Sequence, residues 1–102
     1  MNIYNYTSPW GTTTPIYLKA LDYQNNGRLA VQAYEVETNF PFMTITVNVP
    51  EEPITNEKCN YVKTYSENEG VLGFLVENGL AQLTGELSYQ GFPEMEFNIE
   101  KF

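Results

Sequence analysis

Two glutamates at positions 94 and 96 are the residues that come closest to a catalytic spacing. On an extended strand they project from one face about 6.8 Å apart, a separation within the range that glycoside hydrolysis uses for a carboxylate pair. That chemistry needs a substrate cleft around the pair, and 102 residues leave little material to build one. Glu94 and Glu96 therefore read first as the wet side of a strand. Cys59 stands between Lys58 and Asn60. A neighbouring ammonium lowers a thiol pKa slightly, but a lone cysteine reads as a small core or boundary residue.

Other chemistries lack their parts. The sequence contains no histidine, which removes the commonest general base and every Ser-His or Cys-His pairing. With one cysteine a structural zinc site has no ligand set. Asp22 is the sole aspartate, so a calcium loop or a two-metal nuclease centre lacks its usual ligands. Glu69-Gly70-Val71-Leu72-Gly73 has neither the lysine nor the spacing of a phosphate loop. No cofactor or metal is expected, and the chain reads as a binding protein in place of an enzyme.

Charge narrows the partner. Thirteen acidic against five basic residues give a net charge of −8. Lys19, Arg28, Lys58, Lys63 and Lys101 are scattered, whereas phosphate contacts need clustered cations. Direct nucleic-acid or anionic-membrane binding is thus excluded, and a basic protein surface is favoured. Residues available to such a partner are Glu94, Glu96 and Glu100 on the closing strand, and Glu51 and Glu52 in a loop. Trp10, Phe40 and Phe42 in turns would serve as aromatic anchors, although closing one end of the core is the first role expected of Trp10. The absence of a basic start and apolar run at Met1 to Tyr6, and of any stretch near ~18 apolar residues, points to the cytoplasm. The lone cysteine agrees with a reducing compartment.

The elements that must position these residues are mostly strands. One domain is expected over 1–102. After a polar, turn-rich start, alternating runs predict strands at Ile16–Tyr23, Leu29–Val36, Met43–Val49, Asn60–Thr64, Gln82–Tyr89 and Glu94–Glu100. In the third run Met43, Ile45, Val47 and Val49 face inward, with Thr44, Thr46 and Asn48 outward. Gln24 to Arg28 is a hairpin turn. A two-residue Asn26-Gly27 turn would set Leu18 opposite Glu35. A three-residue loop with Gly27 left-handed sets Ile16 opposite Val36 and Leu18 opposite Tyr34, and keeps like with like. A helix is predicted at about 67–78, opened by a Ser66/Glu69 capping box and closed at Asn78-Gly79, with Val71, Leu72, Leu75 and Val76 as its apolar stripe. The class is α+β: a mainly antiparallel, twisted sheet of about five to six strands with one short covering helix.

Three stretches carry a resemblance. They are Tyr23-Gln24-Asn25-Asn26-Gly27-Arg28-Leu29-Ala30-Val31-Gln32, then Thr44-Ile45-Thr46-Val47-Asn48-Val49-Pro50, and Glu77-Asn78-Gly79-Leu80 with Phe92-Pro93-Glu94-Met95-Glu96-Phe97. Here the chain resembles a family of small acidic proteins of unknown function encoded on conjugative and other mobile elements of Gram-positive bacteria. These are turn, strand and cap motifs, and the first fifteen residues lie outside them. The resemblance implies a genomic setting in which small acidic proteins include anti-restriction and anti-CRISPR inhibitors. Their targets, immune nucleases such as an RNA-guided Cas9, hold nucleic acid in basic channels that a carboxylate-rich surface can enter. An accessory homodimeric module of the mobile element is the alternative that it implies.

Overall fold

A computed structural model describes the backbone of all 102 residues and every side chain except that of Glu67. Eight strands form two antiparallel sheets of four. The first has the order β1 (Tyr4–Thr7), β2 (Thr13–Asp22), β3 (Leu29–Glu35), β4 (Pro41–Thr44). In the second, β5 (Thr46–Val47) pairs with β6 (Cys59–Val62), then β8 (Pro93–Phe97), with β7 (Ala81–Leu87) at the far edge. A single α-helix, α1 (Val71–Glu77), and 3-10 turns at Ser66–Asn68 and Ile99–Lys101 complete the chain. The α+β class and the antiparallel pairing expected from the sequence hold; the strands number eight in two sheets, where about five to six in one were anticipated.

The extra sheet arises at Ile45. The alternating run Met43–Val49 predicts one strand, but Ile45 interrupts it and the chain changes sheets there. The Ile45 N–H donates to the Val31 C=O and its C=O accepts from the Lys63 N–H, both at 2.9 Å, so one residue bridges β3 and β6. The switch also turns Thr46 inward, against the expected alternation. Thr46 is buried, and its hydroxyl accepts the Val31 N–H at 3.1 Å and pairs with the Tyr23 hydroxyl at 2.9 Å. Asn60, also buried, donates to the Leu29 C=O at 2.8 Å and ties β6 to β3. The burial of Thr46 and Asn60 is tolerated because both have partners.

Neither expected register of the first long hairpin is adopted. Ile16 lies opposite Glu35, Leu18 opposite Ala33 and Asp22 opposite Leu29. Tyr23 and Arg28 close a four-residue loop in which the Gly27 N–H donates to the Tyr23 C=O at 2.8 Å, with Gly27 at φ +70°. This register stacks Tyr17 on Tyr34 on the outer face, with the Lys19 ammonium 5.0 Å from the Tyr34 ring centre. It keeps Ile16, Leu18, Val31 and Ala33 buried inside. Pairing of apolar with apolar is thus met by face and not by direct opposition.

The helix is shorter than predicted at its start. Ser66 stands at φ +58° and opens a 3-10 turn, and neither the turn nor α1 receives a side-chain cap, so the Ser66/Glu69 capping box does not form. At its end the prediction holds. The Leu80 N–H donates to the Leu75 C=O and the Gly79 N–H to the Val76 C=O, with Gly79 at φ +66°, a paired-bond C-terminal stop that buries Leu80. The buried stripe is Val71, Phe74 and Leu75; Val76 is exposed. The omitted residue, Phe74, packs edge-on against Tyr4 and Tyr6. Gly70 lies beside β1, and a Cβ there would meet the Tyr6 hydroxyl at 3.5 Å, an ordinary contact.

Candidate interaction surface

The outer face of the second sheet gathers the carboxylates, but not as an open acidic strand. Cross-strand pairing sets Cys59 opposite Glu96 and Tyr61 opposite Glu94, with Gln82 opposite Glu96 on the other side. The loop following β5 folds back over this face, and the Tyr61 hydroxyl donates to the Pro53 C=O at 2.6 Å. Glu94 is therefore only 1% exposed, which corrects its expected place on the solvent side. Its carboxylate accepts the Thr55 N–H at 2.7 Å and the Thr55 and Thr84 hydroxyls at 2.6 Å each. Burial raises its pKa, the bonds from Thr55 and Thr84 lower it, and the bonds prevail, so the group titrates below the ordinary carboxylate value. Glu94 acts as a clamp that pins the 50–58 loop to β8 and β7.

Glu96, half-buried, accepts from the Asn56 side-chain amide at 2.9 Å. Glu52 accepts the Tyr89 N–H at 2.6 Å and so fixes the tip of the β7–β8 hairpin. Glu51 is exposed in the same loop. Burial, then the charges of Glu94, Glu52 and Glu86, push the Tyr61 hydroxyl pKa up against an opposing effect of Arg28, so these carboxylates share one neighbourhood. Glu86 belongs to this group, and sequence reasoning missed it; the signal available was its position on the predicted Gln82–Tyr89 strand. Glu100 lies apart. The predicted last strand stops at Phe97, and Glu100 and Ile99 sit in the closing 3-10 turn. The Cys59 thiol is buried, and burial first, then Glu94 and Glu96, push its pKa up against a hydrogen bond from Asn56. Among the described residues no group of three or more His, Cys, Asp or Glu side chains could hold a metal ion. Among the described residues no helix is long and apolar enough to cross a membrane.

The aromatic residues divide. Trp10 is 71% exposed in the β1–β2 turn and does not close the core, contrary to its first expected role. It lines a recess of about 230 Å³ with Tyr6 and Phe42, and the hydroxyls of Ser8, Thr12 and Thr14 rim it. Phe42 is half-buried and edge-on to Tyr6, with ring centres 6.0 Å apart. Phe40 is exposed in the β3–β4 turn and does not line the recess. A larger hollow, about 520 Å³, lies at the start of β7 between Lys58, Val76, Gln82 and Glu96; its mixed charges give it no field of one sign. The hairpin end of the second sheet carries exposed Leu83, Leu87 and Tyr89. Beside it Tyr65 stacks on Phe92 with ring centres 5.9 Å apart.

No curated protein and no solved structure matches the chain. A family defined by a domain of unknown function, DUF4313, matches residues 17–102, from the middle of β2 to the C-terminal residue. That span holds both sheets' acidic and apolar features apart from β1 and the Trp10 turn, and the chain belongs to the DUF4313 family.

Proposed function

We propose that the chain works by binding a positively charged protein surface, and that in its setting the partner is a bacterial immune nuclease which it inhibits. The resemblance to acidic proteins of mobile elements supports a setting in the cytoplasm of a Gram-positive host, where restriction and RNA-guided nucleases such as Cas9 act. The observation that carries the reading is the concentration of carboxylates at one end of the second sheet. Glu52, which accepts the Tyr89 N–H, and Glu86 stand near Tyr61 on the outer face, with the exposed Leu83 and Leu87 on the opposite face of the same edge strand, within a molecule of net charge −8. An acidic face with exposed apolar side chains along the same edge suits steering toward a basic surface followed by desolvated contact.

Immobilised chain is expected to retain a purified RNA-guided nuclease at low ionic strength and to lose it steeply as salt rises, because exposed charges are screened within about 10 Å at 0.1 M. A plasmid-interference assay should lose restriction when the chain is expressed. No retention of any such nuclease at low salt overturns the inhibitory reading. The alternative reading is an accessory homodimer of the mobile element, for which an unpaired sheet edge is a general route. A monomer in light scattering at high concentration removes it.

A further inference from the structure

We propose that the free edge of β7 is a docking strand for an extended partner segment that alternates basic and apolar residues. The proposal rests on the reading of a positively charged partner and says which part of that partner is held, and how. β7 ends the second sheet, so one side of its backbone has no strand beside it. The Asn98 N–H donates to the Leu80 C=O at 2.8 Å, which fixes the alternation. Gln82 and Thr84 turn their backbone groups to β8, and Ala81 and Leu83 turn theirs outward. Beyond the register shift between Leu83 and Leu87, the Ser88 N–H donates to the Phe92 C=O at 2.9 Å, so Leu87 also presents its backbone outward. Its cross-strand neighbour is Pro93, which has no N–H to give.

Side chains along this edge sort by face. Leu83 lies opposite Met95 and Leu87 opposite Pro93, on the core side, yet they are 52% and 64% exposed. Gln82 lies opposite Glu96 on the other side, where Glu86 and Glu52 stand near Tyr61. A strand added here would meet leucines on one of its faces and carboxylates on the other. Side chains of a strand alternate between faces, so the complementary segment carries valine-like residues at every second position and arginine or lysine between them. Main-chain bonds would supply the affinity and the two faces the selectivity.

A second copy of the chain fits this edge poorly. Each copy carries net charge −8, and self-pairing would bring the two Glu86 carboxylates toward each other across the dyad.

The test titrates the 15N-labelled chain at low salt with a short synthetic peptide of alternating arginine and valine. Two variants keep its charge: one N-methylated at the valines, one at the arginines. Amide shifts should concentrate on residues 81–89. One methylated set should weaken binding by about tenfold while the other leaves it unchanged: the valine set for antiparallel pairing, the arginine set for parallel. Shifts centred on the Trp10 recess, equal binding by all three peptides, or no binding overturn the edge proposal. If the nuclease is still retained in the capture experiment, only the edge falls; if that also fails, the underlying reading falls with it. A dimer in sedimentation velocity that Leu83→Pro dissolves while melting normally gives the edge to a second copy and overturns the proposal as well.

Discussion

Glu94 illustrates how one residue can be read correctly in chemistry and wrongly in place. Alternation put it opposite Met95 on the outer face, and that is where its side chain points; what the pattern could not register is that a loop some forty residues earlier closes over it. No local periodicity encodes a lid. Glutamine keeps one acceptor oxygen but turns its amide hydrogens toward either the Thr55 N–H or the two hydroxyls, so Glu94→Gln should lower stability by about 1–3 kcal/mol at neutral pH in urea denaturation. The pH dependence follows from the lowered pKa. The carboxylate contributes fully above its unfolded value and loses that contribution as pH falls through the lower folded one. The gap between wild type and Glu94→Gln should therefore narrow as pH drops below about 4.5. Cys59 offers a second check at this scale. A thiol that is buried and has a raised pKa should react with a thiol-specific disulfide reagent at least about a hundredfold more slowly in the native chain than in urea.

At the scale of elements, the sequence was most legible where a chain reversal has its own chemistry. The Asn78-Gly79-Leu80 stop formed as anticipated, because the left-handed position admits glycine at no steric cost. The Ser66/Glu69 start did not form, because Ser66 adopts a left-handed conformation that opens a 3-10 turn before the helix. Two glycines separate these effects. Gly79→Ala should cost about 1–2 kcal/mol, since its φ is +66°, a conformation that a Cβ strains even though the flexible Lys101 side chain can swing clear. Gly73→Ala, in the exposed middle of α1 with nothing within 4 Å of the added Cβ, should raise stability by about 0.5–1 kcal/mol. Thermal denaturation of the two variants should move in opposite directions. The hairpin register escaped prediction for a different reason: opposition of like residues was the criterion, whereas the observed pairing is decided by which face is buried and by a four-residue loop.

For the whole molecule, the class was legible from alternation and one helical stripe, but the division into two sheets was not. The run from Met43 to Val49 looks continuous because Ile45 is apolar in both sheets' terms, and only its two backbone bonds, to Val31 and to Lys63, reveal that it belongs to both. The acidic balance pointed to a surface property, and the structure relocated it from one strand face to the hairpin end around Glu52 and Glu86. Trp10, expected inside, stands at the rim of a recess outside the segment that the family covers.

The double engagement of Ile45 has a consequence for how the chain comes apart. Because a single residue gives one backbone bond to β3 and takes one from the end of β6, neither half can melt and leave the other's ladder intact. Denaturation should consequently be all-or-none. The fluorescence of Trp10, which reports one sheet, and the far-ultraviolet signal of the whole backbone should trace superimposable curves in urea. Two separated midpoints would mean that the junction is a hinge and not a rivet.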